Sequence, residues 1–328
     1  MNWFLVTLIS ASILGAISII DKKCHQYCKN AGTYILFCGS QQALFGILSM
    51  AIAGFSNKRP EIYYLSVFDN VLLSFDIPVT PLIFAILSGI VMGSAVLLLQ
   101  NILFTHEVTR TLPIAQSYPI FSSILAVVFL NEIMTSTQWL CVLLTVTGCM
   151  AVNIKFDKIS EFSPTILFKD KVFYILMISS FLFGLAFLFG KLSFSYVGLS
   201  VLFVHGVRAF FGGGMLVLGT IGNSHAKSEL FTLIKHPMTN NLIFLSSLNN
   251  FVIAQIGFFL MTLGISLGPV SLVGALSSTR ILFTVIFTIL LSFVVKGFID
   301  ERNTKSDIFV KIVSALMIMG GVSGISIF

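Results

Sequence analysis

The fold is decided by a segment that occurs twice in the chain: SASILGAISIIDK at residues 10–22 and SSFLFGLAFLFGK at residues 179–191. A shift of 169 residues superimposes three identical pairs, which are Ser10 with Ser179, Gly15 with Gly184, and Lys22 with Lys191. Each copy ends a long apolar run and carries a Gly followed seven places later by a Lys. Self-similarity at a fixed spacing is the sequence signature of an internal repeat.

A second pair of segments agrees with the same shift. The sequence FLNE at 129–132, followed by Thr135, falls on FIDE at 298–301, followed by Thr304. Between these anchors the shift drifts because the loops differ in length, and Gln42 then falls near Arg208. Each half of the chain is therefore predicted to carry an acidic residue before its fifth helix.

The composition excludes a soluble globular protein. Of the 328 residues, 56% are hydrophobic and only 10% are charged, and the mean hydropathy is +1.00. A helix that crosses a bilayer core needs about 20 apolar residues. Ten such stretches are present, at roughly 3–20, 33–55, 82–104, 112–130, 137–153, 172–190, 199–222, 241–264, 270–295 and 308–327. We therefore predict an all-α membrane protein with ten transmembrane helices, and the lipid bilayer as its surroundings.

The number of helices in each repeat predicts how the two repeats are oriented. Five is an odd number, so the second repeat enters the membrane from the opposite side and the repeats are inverted. We divide the chain into a first five-helix repeat at 1–154, a linker loop at 155–171 and a second five-helix repeat at 172–328. Inverted repeats are typical of secondary transporters with a site between the halves near the bilayer midplane. Because one chain supplies both halves, we predict a monomer or a homodimer.

The basic residues follow membrane topology and not a nucleic-acid surface. The formal net charge is +6, but the Lys and Arg residues are scattered over short loops and form no basic stripe. Most of them lie in the odd-numbered loops, which by the positive-inside tendency places both termini outside. The first stretch has no basic leader region, so we interpret it as a retained helix. The predicted location is an integral, multi-pass position in a membrane, the cell (inner) membrane if the source is bacterial.

Several of these residues match a known family. The Gly-x6-Lys of each half, PIF at 119–121, the acidic residue followed by Thr, and the late Gly148 or Gly320 resemble the EamA-type branch of the drug/metabolite transporter superfamily. The resemblance covers essentially the whole chain. It implies two five-helix repeats, transport of a small metabolite and functional roles for paired lysines, here Lys22 and Lys191. In the second half, Arg280 stands where that family usually has proline.

Two arginines lie where a charge is costly. Arg208 is about ten residues into the seventh stretch and Arg280 about eleven into the ninth, and a charge at the bilayer centre costs at least about 2.5–3.5 kcal/mol. No Asp or Glu is found in the middle of any stretch. Since guanidinium forks suit carboxylate and phosphate, we predict that Arg208 and Arg280 bind an anionic group of the substrate. The alternative is that each arginine binds helix carbonyls or a carboxylate at a helix end.

Further candidate substrate-binding residues surround this pair. They are Gln42, His205, Lys22, Lys191, Tyr118 and Asn249. Lys22 and Lys191 are expected at the two mouths of a cavity, or else to extend to the interface. The neutral polar residues are expected either to contact substrate or to join helices. His205, one helical turn before Arg208, is expected to be a packing residue more often than a proton carrier.

These observations predict a secondary transporter that moves a small anionic or zwitterionic metabolite by alternating access. One alternative is a flippase for an amphipathic or lipid-linked molecule, which would bind its head group with the same arginines. The other is a membrane-embedded enzyme acting on lipid head groups, which needs an acid-base or metal cluster that the sequence lacks. Cys24, His25 and Cys28 do not complete a four-ligand zinc shell. We therefore predict no enzyme activity, no cofactor and no metal.

Overall fold

The structure is a computed structural model. It describes residues 2–25, 28, 30–53, 63–67, 75–79, 81–106, 111, 114–151, 170–194, 199–235, 245–294 and 305–327. Twelve α-helices are described, in this order: α1 (Trp3–His25), α2 (Ala31–Ala53), α3 (Pro81–Thr105), α4 (Tyr118–Leu130), α5 (Ser136–Ala151), α6 (Lys171–Leu192), α7 (Val201–Thr220), α8 (Ser224–Lys235), α9 (Ala254–Leu267), α10 (Val270–Ser278), α11 (Arg280–Val294) and α12 (Lys305–Ile327). A π-helix at Leu248–Ile253 precedes α9, and strands β1 (Tyr63–Val67) and β2 (Phe75–Val79) lie between α2 and α3.

The apolar stretches of the sequence form helices because a backbone inside lipid has to satisfy its own hydrogen bonds. Seven described helices are long and apolar enough to cross a membrane. Three shorter apolar helices, Tyr118–Leu130, Ser136–Ala151 and Ile312–Ile325, fall in the fourth, fifth and tenth predicted stretches. Many large hydrophobic side chains are exposed on the outer faces, such as Leu44, Ile52 and Leu140. Exposed apolar area on this scale is expected of an integral, multi-pass membrane protein.

Two elements were not predicted from the sequence. The antiparallel hairpin of β1 and β2 pairs Tyr63 with Val79 and Val67 with Phe75, between the second and third predicted stretches. The short helix α8 follows α7 in the loop before the eighth stretch and packs on α2. There Thr33 donates a hydrogen bond to Glu229 at 2.8 Å. Among the described residues the fold is therefore helical, with one short hairpin added.

Three of the predicted spans are interrupted. The fourth begins its main helix at Tyr118, with Pro119 in the first turn, where proline costs no helical hydrogen bond. The ninth is divided at Thr279 into α10 and α11. The eighth contains the π-helix, a form that is found mostly as bulges and often at functional sites. Interruptions of this kind in membrane helices occur where the backbone is buried in protein or lines a cavity.

The helices pack in pairs that join the two halves of the sequence. α2 packs on α7, and α5 packs on α12. α1 packs on α9 and α11, while α6 packs on α3 and α4. Glycines allow the closest of these contacts, since a Cβ on Gly46 of α2 would lie 2.7 Å from the Gly206 carbonyl of α7. A core cluster that includes Leu14, Leu99, Phe183 and Met261 lies where α1, α3, α6 and α9 meet.

Candidate functional site

Arg208 is buried in the interior of the helix bundle. Its side chain is 8% exposed, and its Nη1 donates a hydrogen bond to the Thr262 hydroxyl of α9 at 3.0 Å. A Cβ on Gly190 of α6 would lie 3.5 Å from the Arg208 Cζ, so the guanidinium packs beside Gly190 at van der Waals distance. The Nε of Arg208 is buried, and no described residue forms a hydrogen bond with it. Within the described part of the chain, no acidic residue pairs with this cation.

Arg280 is half-buried and begins α11, directly after the interruption at Thr279. The α1 backbone approaches closely here, since a Cβ on Gly15 would lie 2.7 Å from the Arg280 carbonyl. The Arg280 charge acts on Tyr118 and Cys149, from α4 and α5. No hydrogen bond or ion pair of the Arg280 guanidinium is found among the described residues. The two predicted arginines thus face different neighbours, and both lack a carboxylate partner there.

Tyr118 lies in the interior next to the Arg280 side of the bundle. Its hydroxyl is 2.6 Å from the Ser277 hydroxyl near the end of α10. Its ring packs against Phe183 and Phe187 of α6, with centroid separations of 5.8 and 5.9 Å. A tyrosine in this position joins three helices around the break between α10 and α11. This is the interhelical role that we considered as the alternative to substrate contact.

Gln42 and His205 lie on the α2–α7 side of the site. A Cβ on Gly212, one turn after Arg208, would lie 3.5 Å from the Gln42 Nε2, so the Gln42 amide packs against α7. The His205 ring is 3% exposed and contacts Phe45 and a second phenylalanine edge-on. Its Nε2 has no hydrogen-bond partner in the part of the chain that the structure describes. The ring contacts are those of a packing residue, and both roles considered for His205 stay predictions.

Lys191 and Glu132 cap two helices that meet at one break. Lys191 Nζ donates to the carbonyls of Ser266 and Gly268, at 3.3 and 2.9 Å, where α9 ends. Glu132 accepts from the backbone N–H groups of Val270 and Ser271, at 2.7 and 3.2 Å, and from the Ser271 hydroxyl at 2.6 Å, where α10 begins. A cation at a helix C-terminus and an anion at an N-terminus are both favourable. The ammonium of Lys191 therefore has structural partners, whatever its contact with substrate.

Asn249 belongs to a polar cluster that sequence reasoning did not assemble. Its amide donates to Asp21 Oδ1 at 2.7 Å, and the Tyr34 hydroxyl donates to the same oxygen. In the sequence, Asp21 directly follows the first apolar stretch, where a carboxylate is ordinary. The signal that identifies it is the concentration of polar residues at the end of α1, the start of α2 and the π-helix. The side chain of Lys22, next along α1, lies outside the described residues, as does the acidic segment at 298–301.

Comparison with known proteins shows the fold and nothing more specific. No family model and no curated protein matches the chain. Sixteen solved chains match it in structure. One of them, described only as "Crystal structure of protein", has a TM-score of 0.64 and 10% sequence identity, with 98% of this chain and 96% of that chain covered. The agreement over nearly the full length of both chains shows that this helical arrangement occurs in an experimental structure.

Proposed function

We propose that the chain is a secondary transporter, and not an enzyme, for a small anionic or zwitterionic metabolite. The observation that carries the proposal is Arg208 of α7, which is buried against α3, α6 and α9. Among the described residues its guanidinium has one hydrogen bond, to Thr262, and its Nε has no partner. Arg280 adds a second cation without an acidic partner among the described residues. A charge placed inside a membrane at this cost calls for a functional reason, and an anionic substrate group supplies the missing charge.

Alternating access by two inverted repeats is part of the proposal, and equivalent contacts support it. A Cβ on Gly15 would lie 2.8 Å from Phe283 Cβ, and a Cβ on Gly184 would lie 2.9 Å from Phe121 Cβ. Gly15 and Gly184 are repeat mates by the sequence shift, and the two phenylalanines fall near each other in the same comparison. The same glycine–phenylalanine contact therefore occurs twice, and in each case the glycine comes from one half and the phenylalanine from the other.

A second pair of equivalent contacts also joins the two halves. The hydroxyl of Ser10 in α1 donates to the Gly257 carbonyl of α9 at 2.7 Å. The hydroxyl of Ser179 in α6, its repeat mate, donates to the Ala95 carbonyl of α3 at 2.9 Å. Each serine thus joins the first helix of its own repeat to the third helix of the other. Such an exchange supports ten spans in repeats at 1–154 and 172–328, the arrangement of the EamA-type transporters that the sequence resembles.

Ligand-dependent thermal unfolding of the purified protein tests the substrate class. The panel consists of small carboxylates, phosphates, zwitterions, neutral sugars and amines. A ligand that binds only the folded state at 100 times its Kd stabilises it by about 2.7 kcal/mol. We expect carboxylates or phosphates to raise the Tm of the wild type. Arg208→Lys keeps the charge and loses the planar fork, so its response to the same anions should be weakened.

The control variant is Lys227→Ala, which removes a cation from the exposed surface of α8 and should leave the response unchanged. Anions that stabilise Arg208→Lys and the wild type equally would remove the basis for the substrate class. A response limited to amphipathic phosphates in lipid, with none to soluble anions, would favour the flippase alternative. Uptake of the stabilising anion into vesicles, abolished by Arg208→Ala, is the direct test of transport.

A further inference from the structure

A carboxylate lies in the interior where three elements meet. Asp21 is in the last turns of α1, Tyr34 is in the first turn of α2, and Asn249 is in the π-helix. α1, α2 and the π-helix pack on one another. Tyr34 is 3% and Asn249 is 0% exposed, while Asp21 is partly buried. These side chains are not among the groups around Arg208, so the cluster is separate from the proposed anion site.

Two donors fix one oxygen of this carboxylate. Asp21 Oδ1 accepts from Asn249 Nδ2 at 2.7 Å and from the Tyr34 hydroxyl. Tyr34 is held in turn by Asn250, whose amide donates to the tyrosine oxygen at 3.3 Å and to the Ser246 carbonyl at 3.1 Å. No donor among the described residues reaches Asp21 Oδ2. Among the described residues, one oxygen is therefore held by two donors and the other has none.

No described cation compensates the Asp21 charge. The titratable groups that face it are Tyr34 and Cys38 from α2 and Cys24 from its own helix, and all three are acids that are neutral when protonated. The π-helix contributes the neutral amides of Asn249 and Asn250. The side chains of residues 22, 23 and 25 on α1 lie outside the described residues. An interior carboxylate without a cation is most readily neutralised by taking up a proton.

We propose that Asp21 is a proton-binding site that couples proton movement to transport. A proton from the water on one side of the membrane binds Oδ2 and leaves to the water on the other side after the halves rearrange. The proposal rests on the proposed transport function and adds its coupling ion. Sodium is the other candidate occupant, since a cation site needs several oxygen ligands, and the experiments below separate it from the proton.

The repeat relation gives this carboxylate a counterpart. The shift of 169 residues places Asp21 on Gly190, and Gly190 is the position over which the Arg208 guanidinium packs. One half therefore carries a carboxylate at the position where the other half has a glycine beside a cation. A protonated Asp21 and an anion bound at Arg208 leave the interior with the smallest net charge. Joint uptake of one proton and one anionic group is therefore the cycle that places the least net charge in the interior.

Infrared difference spectroscopy of the full chain in vesicles tests the proton site without any substrate. On acidification we expect a protonated carboxylic acid band in the wild type that Asp21→Asn lacks. The asparagine keeps an oxygen to accept from Tyr34 and Asn249, so this variant preserves the packing. Tyr34→Phe should retain the band and shift the pH at which it appears, since one donor to the carboxylate is lost. Asp170→Asn, a matched change at the helix cap of α6, should keep the band that Asp21→Asn lacks.

Coupling is tested by repeating the anion panel at neutral and acidic pH. Because linkage is reciprocal, protonation of Asp21 should increase the stabilisation that anions give to the wild type, and Asp21→Asn should lose this pH dependence. A band that persists unchanged in Asp21→Asn overturns the proton site. Stabilisation by sodium in the wild type but not in Asp21→Asn, without the band, assigns the site to sodium instead. Failure of the anion panel with the band intact refutes the proposed substrate class and leaves the proton site standing.

Discussion

Removal of the Glu132 carboxylate should destabilise the junction between α9 and α10. Glu132→Ala deletes three hydrogen bonds to the start of α10, from Val270 N at 2.7 Å, Ser271 N at 3.2 Å and Ser271 Oγ at 2.6 Å. Hydrogen bonds to a charged group contribute about 1.5–3 kcal/mol each. They are not additive, and Glu132 is only half-buried. We therefore expect a total loss of about 2–4 kcal/mol, with a Tm that falls by several degrees.

The assay is thermal unfolding in detergent, read by the loss of monodisperse protein. Glu132→Gln keeps an acceptor and loses the charge, so its effect should be intermediate. A double-mutant cycle with Ser271→Ala isolates the shared hydrogen bond, because contacting residues give non-additive changes. A Tm of Glu132→Ala equal to that of the wild type would refute the capping role. Additive effects of Glu132→Ala and Ser271→Ala would refute the contact itself.

Three other predictions follow from packing, capping and thiol chemistry. Gly213→Ala should lower stability by at least about 1 kcal/mol, because its Cβ would lie 2.6 Å from a backbone nitrogen of α2, whereas Gly214→Ala has nothing within 4 Å and should be neutral or stabilising in a Tm comparison. Lys191→Met keeps the aliphatic stem but loses two carbonyl hydrogen bonds, and should lower the Tm by an amount equivalent to about 1–3 kcal/mol; an unchanged Tm contradicts this. Burial raises the pKa of Cys24 to about 12 and of Cys28 to about 11, so maleimide should label both slowly at neutral pH until the protein is denatured, as measured by intact mass.

The helical framework was predictable because hydropathy alone determines which segments enter lipid. The interruptions were only partly predictable. Pro119 marks the start of α4 through its missing N–H, and the sequence shows it directly. The break at Thr279 and the π-helix have no proline, and they depend on what packs against them. The short helix α8 was missed for two reasons. Its apolar residues occupy only one face of a polar segment, and the helix is much shorter than a membrane span.

A site residue could be predicted where its own type and position are unusual in the sequence. It could not be predicted where only its contacts in the fold are unusual. Arg208 is identified by the cost of its charge in an apolar stretch, which needs no structure. Its neighbours Thr262 and Gly190 lie far from it in sequence, and no local pattern connects them. Asp21 was missed for the opposite reason, since a carboxylate at a helix end is ordinary in sequence. Only the convergence of Tyr34 and Asn249 on one oxygen makes it unusual.

The capping pair at the α9–α10 junction also bears on how the proposed halves move. Glu132 belongs to the first half of the chain, but the helix that it caps belongs to the second. Lys191 lies in the second half together with the carbonyls that it binds, and its charge interacts with Glu132. Rocking of one half against the other therefore has to break the Glu132 contacts or carry α10 along with α4. In the first case, Glu132→Ala shifts the population toward the opposite opening, and in the second it lowers stability alone. Accessibility of single cysteines placed along α10 distinguishes the two, because only a change of opening alters the side from which they are labelled.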